Sequence, residues 1–207
     1  MALPGKHAAV RIISQTSTPF TNEATTPDAT FTIYTIDDRE LRYWDRDVPI
    51  VVERDGVVVP PAEYRIQHAG GRIHFREAQD PAAVITVSGA WFAVVTAVEC
   101  REFTLSLERE ITDVTVFESN GWRERLAGVG GATGTVSGFY NANNLFTPRL
   151  LAQKPLVLEL QPDAANNGEI FSLYVVMSSQ ELSAAVEGAV ETSVPWESDG
   201  EILIETP

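Results

Sequence analysis

The chain has 207 residues, 44% of them hydrophobic, and a formal net charge of −14. That length and apolar content exclude a wholly disordered chain and allow one large or two small domains with a real core. Residues 101–207 hold 16 of the 29 carboxylates against 6 of the 15 basic residues, which excludes nucleic-acid binding through clustered lysine and arginine.

Residues 1–30 open with a strand expected over Ala8–Ile13, where Val10 and Ile12 alternate with Arg11 and Ile13. The following stretch, Ser14–Thr30, is rich in Ser, Thr, Asn and Pro and reads as an extended arm or loop rather than a packed element. On that reading, removing residues 1–30 leaves the rest folded.

Residues 31–98 read as a small additional β-domain. Phe31–Ile36 is a strand rich in β-branched and aromatic residues. Ile50–Glu53 and Val57–Val59 bracket Arg54-Asp-Gly56, and Tyr64–His68 and Arg72–Phe75 bracket Ala69-Gly-Gly71. Both are hairpin signals, because glycine tolerates the positive φ of tight turns. Ala83–Cys100 is too long for one flat strand, and Gly89 is expected to bend or end it.

Residues 99–207 show the clearest alternation. Two strands are expected, Glu102–Glu110 and Ile111–Glu118, then a turn carrying Trp122, then a glycine-rich run, Gly128–Gly134. A strand ending at Gly138-Phe-Tyr140 leads to one short helix, Pro148–Gln153, with Thr147 as N-cap and Leu150 and Leu151 pinning it over an open end. Leu156–Gln161 is a strand with one wet face, followed by an Asn166-Asn-Gly168 turn. A long strand then breaks at Ser178–Ser183 and resumes as Val186–Trp196, with Val186, Val190, Val194 and Trp196 on one face. Such strands build a sandwich or barrel wall, apolar on one side and wet on the other.

Motifs for chemistry are weak. Gly128–Gly134 lacks the lysine of a P-loop and precedes a strand, so turn glycine accounts for it better than a phosphate cradle. Asp163–Gly168 resembles a calcium loop, but Ala165 takes a ligand position and Tyr174 replaces the bidentate glutamate. His7, His68 and His74 are scattered, and Cys100, the only cysteine, reads as a small core residue. No Gly-x-Ser-x-Gly elbow is present, so no catalytic residue, metal or cofactor is expected. Trp44, Trp91, Trp122 and Trp196 could form a sugar-binding platform. The plainer reading makes them packing residues, with Trp122 plugging a sandwich edge. No apolar run reaches the roughly 20 residues of a membrane span, and Met1–Lys6 lacks a signal-peptide stretch, so cytoplasmic synthesis is expected.

The order of strands around one small helix in residues 100–200 resembles the tail tube (major tail) proteins of bacteriophages with long, non-contractile tails. The resemblance implies a mostly β chain, a β-sandwich of the tail tube type whose strands join into a ring-wide β-barrel on assembly. It implies a structural virion protein: homohexameric rings stacked into a tube, through which phage DNA passes without tight binding. Partners would then include tape measure, tail terminator and distal tail proteins. Ring stacking carries over to the arm, Ala2–Thr30, with Phe20 and Asn22, and to the loop Glu110–Glu124, with Asp113, Glu118 and Trp122. Glu108, Glu159, Glu187 and Glu191 are the candidates for facing the lumen. Alternation marks a wet face without saying whether it looks inward or outward. Residues 31–98 depart from the minimal pattern, as a unit decorating the outside or thickening the wall. Other classes fitting the pattern are a β-sandwich binding module, a tube cap, a baseplate hub, or the inner tube of a contractile device.

Overall fold

A computed structural model describes residues 8–97, 99–116, 122–141, 145–186 and 188–206. The chain is mostly β, with fourteen strands among the described residues joined antiparallel in one branched sheet. In chain order these are β1 (Ala9–Pro27), β2 (Ile33–Ile36), β3 (Val51–Arg54), β4 (Val57–Val58), β5 (Tyr64–Gln67), β6 (Arg72–Phe75) and β7 (Ile85–Thr96). After them come β8 (Cys100–Asp113), β9 (Arg125–Phe139), the helix α1 (Phe146–Leu151), β10 (Leu156–Gln161), β11 (Ile170–Met177), β12 (Glu181–Ser183), β13 (Glu191–Ser198) and β14 (Leu203–Glu205). The main path runs β4-β3-β7-β1-β10-β11-β13-β9-β8, with β2, β6 and β5 branching from β1, β14 from β11, and β12 from β13.

The polar stretch expected as an arm is the second half of β1. Ser17–Phe20 and Glu23–Ala24 pair with β7, and Thr25–Pro27 pair with β2. Threonines suit a strand as well as valine does when one face is wet, and β7 supplies the hydrogen bonds that composition does not reveal. Register shifts after Ile13 and Phe20 bend β1, and Asn22 takes a positive φ of 54° at the second. Gly89 does not end β7, which continues to Thr96.

Two of the expected breaks are continuous strand. Glu102–Asp113 is one element, paired with β9 from end to end apart from a shift between Arg109 and Ile111. The glycine run lies inside β9, where it serves close packing rather than a turn. A Cβ on Gly134 would stand 2.1 Å from the Thr104 carbonyl oxygen and 2.5 Å from Trp196 Cζ2. The absence of a side chain there lets the indole lie flat on the strand.

Two cores result. The first gathers Ile12, Ile13, Leu156, Leu158, Leu160, Leu173, Val194 and Trp196; the second gathers Phe20, Tyr34, Ile36, Trp44, Val52, Ile73 and Val87. Tyr34 and Phe75 meet edge to face at 5.4 Å in the second. β1 and β7 contribute to both. All six residues of β10 are buried, so the strand expected to have a wet face is covered on both sides. β10 lies between β1 and β11, in the interior of the sheet. Val186 is fully exposed at 106% and precedes β13, while Val194 and Trp196 are core.

The helix differs in detail from expectation. Thr147 is inside it and donates to Gln180 Oε1 at 2.6 Å, and Leu151 is exposed. Phe146 and Arg149 are its buried residues. Arg149 Nη2 donates to the carbonyls of Ser14 and Gln15 at 2.7 and 3.1 Å. Its guanidinium lies 4.7 Å over the Phe92 ring. It thereby satisfies backbone acceptors where β1 and β7 lose register.

Ion pairs fasten the C-terminal segment to residues 42–72. Arg42 Nη1 donates to both oxygens of Glu205 at 2.9 and 3.0 Å, and Arg72 reaches the same carboxylate at 3.1 Å. Arg65 pairs with Glu201 at 2.9 Å and Arg46 with Asp199 at 2.5 Å.

Candidate assembly surface

At one end of the sheet, β12, β13, β9 and β8 lie side by side. Their register sorts the residues into rows. Ser193 faces Ser137 and then Glu102, Pro195 faces Thr135 and then Thr104, and Glu197 faces Thr133 and then Ser106. β12 adds Glu181 opposite Ser193. The interleaved rows, Val194 with Val136 and Phe103, and Trp196 with Gly134 and Leu105, point into the first core. Directly opposed residues share a face, so the other face of these four strands is built mainly from hydroxyls and carboxylates, with Pro195 and Phe139 among them.

Two shallow hollows lie along it. One, of about 460 Å³, is lined by Glu102, Ser137, Glu181, Glu191 and Ser193. The other, of about 370 Å³, includes Glu108, Thr133 and Glu197. Thr133 donates to Glu108 Oε1 at 3.3 Å, and the hydroxyls of Thr104 and Thr135 lie 2.9 Å apart. Arg101 is a cation at one end, held 4.9 Å over the Phe139 ring.

Glu108 and Glu191 therefore stand on one exposed wall. Glu187 lies outside the described residues. Glu159 belongs elsewhere: it is 8% exposed, accepts a 2.6 Å hydrogen bond from the Tyr43 hydroxyl, and is ion-paired with Arg11. Ser172 Oγ lies 3.0 Å from the same hydroxyl. Burial and the Glu159 carboxylate push the Tyr43 phenol well above its usual value. Glu159 thus corrects the wet-face expectation, because both faces of β10 are covered. Glu102, Glu181 and Glu197 on the wall were missed. Glu102 and Glu197 alternate correctly in sequence, whereas Glu181 joins only through the short β12.

β8 ends the sheet, its outer edge unpaired among the described strands over its 14 residues. Its distal half and the facing part of β9 leave the body as a ribbon, prolonged by the Val114 N–H donating to the Glu124 carbonyl at 3.0 Å. Leu107, Ile111, Leu126 and Val129 are 56–80% exposed on it, and Trp122 is 80% exposed, not plugging an edge. Asp113 accepts from the Thr115 N–H at 2.9 Å. Hydrogen bonds from Thr115 hold its carboxyl below the usual range. Glu118 lies outside the described residues. Phe20 and Asn22, assigned to stacking, sit in the sheet: Phe20 is 7% exposed in the second core, 6.0 Å from the Trp44 ring, and the Asn22 N–H donates to Ser88 Oγ at 2.9 Å.

Among the described residues, no group of three His, Cys, Asp or Glu side chains is placed to hold a metal ion, and no helix is long and apolar enough to cross a membrane. Burial pushes the Cys100 thiol up to about 11, which keeps it neutral at neutral pH.

No family model matches the chain, and no curated protein does. Among the solved structures to which the chain is similar are two from gene transfer agent particles. One is the tail of an empty gene transfer agent particle, refined helically in C6 symmetry: 20% identity, TM-score 0.49, covering 55% of this chain and 87% of that one. The other is the virion of a native gene transfer agent particle: 22% identity, TM-score 0.46, covering 55% and 88%.

Proposed function

We propose that the chain is a tail tube subunit, assembling into stacked hexameric rings that form a conduit for phage DNA. The observation that carries this reading is the wall of β12, β13, β9 and β8, polar on one face, apolar on the other, and ending in a 14-residue edge unpaired among the described strands. A long free edge is a template for further strand pairing and is normally protected. Pairing it to the next copy closes a ring and removes the edge, as in any closed barrel. The carboxylates Glu102, Glu108, Glu181, Glu191 and Glu197 would then face the bore and repel the phosphate backbone, so DNA slides without being held.

Stacking falls to the β8–β9 ribbon. Its exposed Leu107, Ile111, Leu126 and Val129 offer a neighbouring ring apolar surface to cover. The N-terminal contribution is smaller than the arm reading implied, since residues 9–27 are committed to the sheet. On this reading the further partners are tape measure, tail terminator and distal tail proteins, and no catalytic role is proposed.

Negative-stain microscopy and light scattering of the purified chain over rising concentration test the proposal. Rings or tubes growing with concentration are the expected result. A monomer at every concentration, with no rings in the microscope, would overturn it.

A further inference from the structure

A groove of about 690 Å³ opens where the two cores meet, lined from β1, β7, β10, β11 and β14 rather than from the strands of the carboxylate wall. Its size falls within the range of small-ligand sites, and junctions between packed units are where such sites concentrate. One wall is Trp91 of β7, paired across to Thr18 of β1 and bridged on its other side by Trp44. A strand fixed on both sides holds that indole more rigidly than a loop would. Trp91 is half-buried, with part of its ring packed against the second core and the rest facing the groove.

The charges lining the groove are largely cancelled. Arg11 is paired with Glu159, Arg42 with Glu205, and at the rim Arg39 stands beside Glu40. An anionic ligand such as a phosphate ester finds no cluster of free cations. What the groove does offer is separate donors and acceptors around an aromatic face. The side chains of Arg39, Glu40 and Asn167 are exposed and make no hydrogen bond among the described residues. A flat indole packs the C–H face of a pyranose, and scattered donors and acceptors without net charge suit its hydroxyls.

We infer that this groove binds a neutral saccharide, with Trp91 as the stacking platform and Arg39, Glu40 and Asn167 reading the hydroxyls. The inference is independent of the tube reading, since it uses other elements and a monomer would bind equally well.

The test is titration of the full-length protein with maltotriose, lactose and N,N′-diacetylchitobiose, followed by calorimetry and tryptophan fluorescence. At least one probe should bind with a Kd of about 1 mM or tighter and perturb the fluorescence. Trp91→Ala and Asn167→Ala should each weaken binding about tenfold with circular dichroism unchanged. If Trp91→Ala does not fold, Trp91→Phe and Arg39→Ala carry the same expectation. Silence of all three probes at about 10 mM overturns the inference. So does binding that these substitutions leave unchanged, or competition by inorganic phosphate.

Discussion

Glu159 and Glu205 each hold arginine inside the fold, and their loss should be felt as stability rather than as function. In Glu159→Gln, one of the two acceptors becomes an amide donor, so either Arg11 or the Tyr43 hydroxyl loses its partner and both lose the charge. The expected cost is about 1–3 kcal/mol, read from urea unfolding, with ring formation retained. A variant of unchanged stability would show that Glu159 does not make these contacts in solution. His68 sets a pH dependence. Burial first, then the Arg46 charge, lowers its imidazole from the usual 6.5 to about 4. Between those values the unfolded chain binds more protons than the folded one, so stability is full above about pH 6.5 and falls as pH drops towards 4. His68→Gln should flatten that part of the stability curve, and an unchanged slope would assign it to other groups. The sequence marked Glu159 as polar and acidic, but β10 takes its second covering from Tyr43, over a hundred residues away in the chain. Periodicity reports a face, and only the tertiary neighbours say what covers it.

At the scale of elements, the two short hairpins around Asp55-Gly56 and Ala69–Gly71 were legible, because their turn residues sit beside the strands they join. The second half of β1 was not legible, since its pairing partners in β7 lie about seventy residues on. The glycine run of β9 misled for a related reason: Gly134 answers to Trp196, on β13, which its own neighbours in sequence do not reveal. Two predictions follow the elements. Deleting residues 1–30 removes a strand lying between β7 and β10 and four core residues with it, Val10, Ile12, Ile13 and Phe20, so the truncated chain should fail to fold. A folded truncation that still gives a cooperative melt would contradict the pairing of β1. By contrast, Leu107→Glu with Ile111→Glu alters only exposed positions. Stability should change by less than about 0.5 kcal/mol per site, while tube growth stops. Tubes of normal length would remove the ribbon from the stacking contact.

For the whole molecule, the carboxylate wall predicts how cargo moves. Screening limits repulsion to about 8 Å at physiological salt, so only side chains near the passing DNA matter. Reversing Glu102, Glu108, Glu181, Glu191 and Glu197 to lysine should leave assembled tubes intact and slow DNA ejection, more at low salt than at high salt, as phosphate contacts form. Ejection kinetics unchanged at both salts would reduce the acidity to a matter of solubility.

The double duty of β7 sets a rule for anyone cutting or grafting this chain. β7 pairs with β3 on one side and with β1 on the other, so residues 31–98 are not a cassette. Excising them strips β1 of a neighbour along most of its length and opens a second sticky border in the body that remains. A foreign peptide is better carried at the Asp55-Gly56 turn, where a Cβ on Gly56 would meet nothing within 4 Å and both neighbouring strands stay whole. Cargo displayed there travels with the body rather than in place of a piece of it.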